Sequence, residues 1–315
     1  MVERSPEEAG VVSSILTPST LLYGKSQCDP RRASKIAVMR IAIIGAGVMG
    51  SAFARAWTRP HTKTFGEGIK HILVAPKNLT VCDPDAKKLA PLKREIGITI
   101  SSDSRSAVAR AGVILLAVKP QQIYAALGVL QPVLEKNQLI ISIAAGVTIR
   151  SIETILGRRH TIVRAMPNLP LTINEGITAW CANRAVNRAQ KRIAQNFLSA
   201  GAMTCEVKES QLNAVTALSA VGQGVLYTFM ALLLEEIVIL RVPRAVADQL
   251  VRTTIAGAAR LLQRTAQTAQ ELAAHVATKG GITEAALKSV QRDHFNRLIA
   301  HAVRAAYVRA QELSR

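Results

Sequence analysis

Residues 40–58 read RIAIIGAGVMGSAFARAWT, and this stretch decides the fold. Four apolar residues near its start form the pattern of a short buried strand. Gly45, Gly47 and Gly50 follow with G-x-G-x-x-G spacing before a helical pattern begins. Gly45 permits the tight turn out of the strand, Gly47 lets the backbone approach a pyrophosphate, and Gly50 lets the helix pack closely. The glycines therefore predict a dinucleotide site, with a structural glycine-rich turn as the alternative.

The start of the predicted helix adds to this interpretation. Its free N–H groups and the positive end of its dipole attract phosphates. Val48 and Met49 lie in this first turn. We therefore expect them to contact the cofactor together with the three glycines.

The composition limits the class of protein to which the chain can belong. Its 315 residues, 49% apolar and only 3% aromatic, can form one large or two ordinary domains with aliphatic cores. The net charge of +19 is spread along the chain without a Lys/Arg block, and no nucleic-acid-binding motif accompanies it. A basic solvated surface is the simplest interpretation, and it would also attract anionic ligands. We expect a small-molecule substrate and no nucleic-acid partner.

Cysteines, histidines and apolar runs exclude further classes. The four cysteines lie far apart without a C-x-x-C pair, and the histidines lack metal-ligand spacing, so we expect no metal and a cytoplasmic location. The longest apolar run, residues 225–240, is interrupted by Glu235 and Glu236 and is predicted to be a buried helix, not a membrane span. Residues 1–38 lack a signal core, and we expect a disordered N-terminal extension there.

Strand and helix signals alternate from residue 40 to about residue 165, which predicts βαβ units in a parallel, doubly wound sheet. The predicted strands are 41–44, 78–83, 97–100, 113–118, 139–143 and 161–164, with one or two more within 176–205. Long helices are predicted at 210–240, 243–265 and 283–312. We expect a Rossmann-type α/β domain at 39–208 and an all-helical domain at 209–315, whose long helices complete their burial against a second subunit.

Asp83 ends the second predicted strand, after an inserted loop predicted at 59–77. An acid at this place in a dinucleotide fold binds the ribose hydroxyls and favours NAD over NADP. Lys87 and Lys88 follow closely and could instead hold the 2′-phosphate of NADP, so both NADH and NADPH stay open. A plain turn residue before Pro84 is the structural alternative for Asp83.

Two later loops are predicted to line the same crevice, because ligands bind at the carboxyl ends of parallel strands. The first loop contains Ala117, Val118, Lys119 and Pro120. The second reads MPNLP, in which two prolines stiffen the chain and Asn168 supplies an amide for the wall of a nicotinamide pocket. A proline-rich connection without a binding role is the alternative for the second loop.

A glycine pair precedes the last predicted helix. Gly280 and Gly281 free the backbone to turn its N–H groups outward, and Thr283 is expected at the N-cap or in the first turn. Such an arrangement predicts a carboxylate-binding nest at a helix start. Simple helix capping is the alternative.

Taken together, these segments resemble the pyrroline-5-carboxylate reductase family over about residues 40–315. The resemblance rests on MRIAIIGAGVMG, LLAVKPQ, ISIAAGVTIRSIE, VRAMPNLP with NEGIT, VPRAVA and the GGIT segment. It implies a Rossmann domain followed by a helical dimerisation and substrate domain, assembled as a homodimer or as a decamer made of five dimers. It also implies hydride transfer from NADPH or NADH to the imine of 1-pyrroline-5-carboxylate, which gives L-proline.

The resemblance also assigns roles by position. It places Ala144 and Ala145 near the nicotinamide, beside the glycine turn and the 117–120 loop. The substrate carboxylate would bind at Gly280 and Gly281, with Thr278 beside them, and Thr283 would hydrogen-bond the ring nitrogen as the catalytic residue. A strong general base is not needed, because the imine nitrogen carries its own proton and positioning supplies most of the catalysis.

The substrate half departs from the family pattern at three places. Residues 219–225 read SAVGQGV in place of SGSGPAY, Thr278 and Lys279 replace Ser-Pro, and LPL replaces TPA after MPN. A related imine or carbonyl reductase with an altered pocket, or a non-catalytic cofactor-binding paralogue, is therefore the alternative function.

Overall fold

The computed structural model describes residues 39–59 and 73–314, apart from the side chains of residues 220 and 221. Two compact units make up this part of the chain. Residues 39–229 with 294–314 form the larger unit, and residues 230–293 form the smaller one. The predicted extension at 1–38 and most of the predicted inserted loop lie outside the described residues.

An eight-stranded sheet forms the centre of the larger unit. Its strands are β1 (Ile41–Ile44), β2 (Leu79–Cys82), β3 (Thr99–Ser101), β4 (Val113–Leu116), β5 (Leu139–Ser142), β6 (Thr161–Pro167), β7 (Gly176–Ala182) and β8 (Ala202–Glu206). Their order across the sheet is β3-β2-β1-β4-β5-β6-β7-β8. The first six strands are parallel, which confirms the predicted Rossmann-type sheet.

The sheet is not parallel throughout, because β7 runs antiparallel to β6 while β8 runs parallel to β7. The connection from β6 to β7 covers only residues 168–175. A parallel return needs a crossover of about a dozen residues or more. The short connection therefore reverses the chain, and β7 and β8 are the further strands predicted near 176–205.

Twelve helices are present in the described residues. They are α1 (Val48–Thr58), α2 (Ala86–Ile96), α3 (Ser104–Val108), α4 (Ile123–Leu130), α5 (Ile149–Leu156), α6 (Arg188–Ser199), α7 (Leu212–Val215), α8 (Gly222–Ile239), α9 (Arg244–Arg264), α10 (Ala269–Val276), α11 (Ile282–Arg292) and α12 (Phe295–Leu313). A π-helical turn, Thr216–Val221, joins α7 to α8.

Helices cover both faces of the sheet and bury an aliphatic layer on each face. On one face, Phe53 and Trp57 of α1 pack with Phe197 of α6, and the Trp57 ring lies edge-on to the Phe197 ring at 4.9 Å between centroids. The buried Trp57 Nε1 donates to the Phe197 carbonyl at 2.8 Å. These contacts fix α1, and therefore the glycine turn before it, against the sheet.

The helical C-terminal part differs from the sequence prediction in two places. The helix predicted at 283–312 is interrupted between α11 and α12, where His294 adopts a left-handed conformation with φ of 55°. The sequence analysis also missed α10, which starts at a reciprocal cap between Thr268 and Glu271. Helix α9 falls within the predicted 243–265 segment.

Helix α8 is confirmed as a helix, but the prediction that it is buried is wrong for the single chain. None of its described residues is buried. Among the described residues, the stretch Glu209–Ile239 is the one helical stretch long and apolar enough to cross a membrane, and 6% of its most apolar window is buried. By length and composition, the core helix of a soluble protein passes the same test.

Candidate cofactor and substrate site

The glycine turn leaves β1 as the motif predicts. Gly45 has a φ of +106°, in the left-handed region that favours glycine, and its N–H donates to the Cys82 carbonyl at 2.7 Å. A Cβ on Gly45 would lie 2.6 Å from the Ala117 carbonyl oxygen. The turn is therefore in direct contact with the loop that follows β4.

The other two glycines face very different surroundings. A Cβ on Gly50 would overlap the carbonyl oxygen of Gly45 and lie 3.2 Å from the Ala117 Cβ. A Cβ on Gly47 would meet nothing within 4 Å. Gly50 therefore permits close packing of α1 on the turn, whereas Gly47 faces open space on the side where a side chain would stand.

The N-terminus of α1 has no side-chain cap, whereas four other helices around the sheet have one. Gly47 is its N-cap residue, and the first turn contains neither a capping side chain nor an acid. Side chains cap α2, α3, α5 and α6 by accepting from first-turn N–H groups. In α1, exposed Val48 and half-buried Met49 therefore present N–H groups without helical acceptors beside the open face of Gly47. This combination suits the pyrophosphate of a dinucleotide.

Asp83 is held inside the turn. Its Oδ2 accepts from the Ala46 N–H at 2.8 Å, and its Oδ1 accepts from the Asp85 N–H at 2.9 Å and from Lys88 Nζ at 3.3 Å. Burial alone would raise the pKa of Asp83, but these donors outweigh it and hold the pKa below its ordinary value. Only 6% of the residue is exposed, so the carboxylate mainly ties the glycine loop to β2.

The loops after β4 and β5 lie along the same edge of the sheet as the glycine turn, because β1, β4 and β5 are adjacent and parallel. Ala117 and Val118 are half-buried, Lys119 is exposed, and Pro120 begins a 3₁₀ turn. Ala144 is buried in the core below this edge. Ala145 is half-buried beside it.

Asn168 follows β6, the next parallel strand along this edge. Its Oδ1 accepts from the Ile177 N–H at 2.8 Å and closes the short connection to β7. A Cβ on Gly176 would lie 2.9 Å from the same oxygen. The amide oxygen is therefore occupied by the chain itself, and the Nδ2 group is the part of Asn168 that remains to donate to a ligand.

The predicted carboxylate nest lies in the smaller unit, at the start of α11. Gly280 has a φ of +73°, and Gly281 is the N-cap residue. The Gly280 N–H donates to Oε2 of Glu284 at 2.7 Å, and the Gly281 N–H donates to the Thr278 carbonyl at 2.9 Å. Thr283 is half-buried in the first turn. The nest thus holds a carboxylate oxygen, which Glu284 supplies.

Metal and thiol chemistry have no support in this part of the chain. Among residues 39–59 and 73–314, no group of three or more His, Cys, Asp or Glu side chains could hold a metal ion. Burial, with the carboxylates of Asp103 and Asp83, raises the pKa of Cys82 to about 11. Burial likewise raises the pKa of Cys181 to about 12 and also raises that of Cys205. These thiols are therefore poor nucleophiles.

Known proteins resemble this chain over most of its length. A family model described as pyrroline-5-carboxylate reductase dimerisation matches residues 209–313, and another, described as NADP oxidoreductase coenzyme F420-dependent, matches residues 40–146. The pyrroline-5-carboxylate reductase of Pseudomonas aeruginosa is 34% identical over 276 residues, which cover 87% of this chain and 97% of that protein. The chain belongs to the pyrroline-5-carboxylate reductase family.

Solved structures of pyrroline-5-carboxylate reductases share the fold. The Coxiella burnetii enzyme is 32% identical with a TM-score of 0.77, covering 88% of this chain and 99% of that one. The Plasmodium falciparum enzyme, solved with NADP bound, is 26% identical with a TM-score of 0.78, covering 89% of this chain and 100% of that one. These matches confirm the resemblance that the sequence motifs indicated.

One departure from the reductase family pattern coincides with an irregular backbone. The altered segment at 219–225 starts inside the π-helical turn that joins α7 to α8. The Ser219 hydroxyl there is buried without a hydrogen-bond partner in the described residues. Single π-helical turns are frequent at functional sites. The altered segment is therefore a structural feature of its own, which the sequence analysis did not predict.

Sequence reasoning missed the polar contacts of two glutamates. The buried Arg164 donates through Nη1 to Oε1 of Glu209 at 3.1 Å, and the same oxygen accepts from the Ile149 N–H at 2.7 Å. This pair connects β6 to the start of α5, and no local sequence motif predicts the contact. The contact between Glu284 and Gly280 does have a local signal, because a Glu three residues after an N-cap commonly reaches back to the N-terminal backbone.

Proposed function

We propose that this chain reduces the imine bond of 1-pyrroline-5-carboxylate with hydride from NADPH or NADH and so produces L-proline. The observation that carries this proposal is the open, uncapped N-terminus of α1 at Gly47, in a chain of this reductase family. Gly45 and Gly50 shape that turn, and their crowded surroundings leave no room for a side chain.

The chain's own groups supply binding and orientation at the cofactor end. The N–H groups of Gly47, Val48 and Met49 bind the pyrophosphate, since they have no helical acceptors and no capping side chain. The 117–120 loop and Ala145 form the neighbouring wall of the cofactor site. The Nδ2 group of Asn168 donates a hydrogen bond to the bound cofactor. A reduced nicotinamide bound there supplies the hydride.

At the substrate end, the substrate carboxylate binds in the nest at Gly280 and Gly281, where it takes the place of the Glu284 carboxylate on the Gly280 N–H while the Gly281 N–H keeps its bond to the Thr278 carbonyl. The contact with Glu284 supports this role, because the Gly280 N–H already accommodates a carboxylate oxygen at 2.7 Å. Thr278 adjoins the nest, and Thr283 hydrogen-bonds the ring nitrogen. The protonated imine needs no strong general base, so positioning and electrostatic stabilisation carry the catalysis.

The exposed helical surface fits an oligomer. The reductase dimerisation model covers residues 209–313, which include α8. A second copy that covers α8 explains its apolar exposed surface without a membrane. We place this assembly in the cytoplasm as a homodimer, or as a decamer built from such dimers.

The test is oxidation of NADPH and of NADH by the purified chain with racemic pyrroline-5-carboxylate, followed at the reduced nicotinamide absorbance. Turnover supports the proposal. Binding of a cofactor without turnover would overturn it in favour of a different substrate or a non-catalytic paralogue. Thr283→Ala is expected to lower kcat more than it weakens cofactor binding, and Thr283→Ser to restore much of the loss. Thr154→Ala, at an exposed position on α5, is the matched control.

A further inference from the structure

Asp83 lies where an acid would read the ribose of NAD, but its geometry does not suit that task. Reading a diol requires carboxylate oxygens turned toward the ligand. Here Oδ2 faces the Ala46 N–H at 2.8 Å and Oδ1 faces the Asp85 N–H at 2.9 Å. With 6% of the residue exposed, both oxygens are already engaged by donors of the protein. Asp83 therefore acts on the cofactor site through the backbone of the glycine loop.

The charge of Asp83 is also compensated. Lys88 Nζ lies 3.3 Å from Oδ1 of Asp83 and 3.9 Å from Oδ2 of Asp85. An unpaired carboxylate at this edge would repel a 2′-phosphate, whereas one paired with an ammonium group repels it far less. About half of the Lys88 side chain is exposed, so its remaining N–H groups can reach a ligand.

A second cation adjoins the first. Lys87 is exposed in the first turn of α2, directly after the carboxyl end of β2, and this first turn contains no acid. The N-cap carboxylate of Asp85 accepts from the Lys87 backbone N–H, which fixes the residue in that turn. Lys88, with its ammonium group beside Asp83, and the exposed Lys87 therefore both follow the carboxyl end of β2, where the adenosine ribose lies in a fold of this kind.

We propose that Asp83 positions the glycine loop and does not select NAD, and that Lys87 and Lys88 form the site of the 2′-phosphate, so that the chain prefers NADPH. This inference rests on the proposed function only in its assumption that a dinucleotide binds at the glycine turn. Asp83 then has a positioning role, and Lys87 and Lys88 determine the choice of cofactor.

The test is calorimetric titration of the full chain with adenosine 2′,5′-bisphosphate and with 5′-AMP, which differ only in the 2′-phosphate. The wild-type chain is expected to bind the bisphosphate about tenfold more tightly, the value of one charge-assisted hydrogen bond. Lys88→Met and Lys87→Met are expected to reduce that ratio severalfold. Lys93→Met, in the last turn of α2, is the control and leaves the ratio unchanged.

Asp83→Asn separates positioning from ribose reading. If Asp83 positions the loop, the variant weakens both ligands by the same factor and keeps their ratio. A selective gain in bisphosphate affinity with loss of 5′-AMP affinity would show that Asp83 reads the ribose, and it would overturn the inference. Tighter binding of 5′-AMP than of the bisphosphate by the wild-type chain would also overturn the inference. Lysine variants that keep the wild-type affinity ratio would overturn it as well. If neither ligand binds to the folded chain, the cofactor site itself fails, and the proposed function fails with it.

Discussion

Gly47 and Gly50 lie three residues apart, and the same added methyl group should have opposite consequences at the two positions. At Gly50 a Cβ would overlap the Gly45 carbonyl oxygen, which is backbone and cannot move aside without shifting the turn or α1. Overpacking of this kind costs about 3 kcal/mol of folding free energy, and the better helix propensity of alanine returns about 1 kcal/mol. Gly50→Ala should therefore destabilise the fold by about 2 kcal/mol.

At Gly47 the methyl group meets no protein atom within 4 Å, and the φ of −69° is one that alanine adopts readily. The stability of Gly47→Ala should stay within about 1 kcal/mol of wild type, since only the N-cap preference changes. The methyl group does, however, fill the space through which the pyrophosphate reaches the backbone. Losing two charge-assisted hydrogen bonds there costs about 3 kcal/mol, or about a hundredfold in Kd for NADPH.

The assay is a thermal melt of each apoprotein together with a calorimetric titration of NADPH. The melting temperature of Gly50→Ala should fall by roughly 4–8 °C, while that of Gly47→Ala should stay near wild type. Wild-type affinity for NADPH in the Gly47 variant would refute the placement of the pyrophosphate. Wild-type stability in the Gly50 variant would refute the close-packing argument.

Three further predictions concern side chains with defined partners. The pKa of Asp83 is lowered in the fold, so its contribution to stability is present above the ordinary value of 3.8 and is lost as the pH falls through the lower native value. Denaturant unfolding should accordingly show the stability gap between wild type and Asp83→Asn shrinking in acid, and a constant gap would contradict the assignment. Glu284→Ala frees the Gly280 N–H and should lower KM for pyrroline-5-carboxylate about threefold with little change in kcat, whereas a raised KM would show that Glu284 assists binding. In Cys28→Ser, the three remaining thiols should react with a disulfide reagent only after denaturation, and fast reaction of the native variant would contradict their raised pKa values.

The sheet was predictable because its determinants are local. Most of the parallel strands are short apolar runs bounded by turn residues, as at 113–116, and the glycine turn has its own spacing. The interruption before α12 was not predictable, because His294 adopts a left-handed conformation without the glycine that normally signals one. Helix α10 was missed although Thr268 and Glu271 carry a capping signature. The sequence therefore does carry a local signal for the start of α10.

The sequence predicted where the residues of the candidate site lie, but it did not predict which contacts each residue makes there. The motif placed Asp83 beside the glycine turn, and the structure keeps it there. Its partner in the glycine turn, the Ala46 N–H, lies 37 positions away in the chain, and the parallel pairing of β1 with β2 brings the two together. Asn168 shows the same limit, because the fold occupies its amide oxygen with the Ile177 N–H. Sequence spacing identifies which residues meet at an edge, whereas the hydrogen bonds decide which atoms remain for a ligand.

The apolar surface of helix α8 concerns the assembly as well as the single chain. A helix that is apolar on all sides must be covered on all sides. In the single chain it leaves Leu226, Tyr227, Phe229 and Leu232 exposed. About half of each side chain is exposed, so burying the four contributes roughly 3–6 kcal/mol from each copy and roughly 6–12 kcal/mol from two copies, which is comparable to the estimated cost of roughly 4–15 kcal/mol for lost freedom on association. The adjacent Glu235 and Glu236 would be costly to desolvate in a bilayer, whereas a protein interface can leave them at a wet rim. The apolar sequence of α8 is therefore consistent with a hydrophobic core that forms between two copies of the chain.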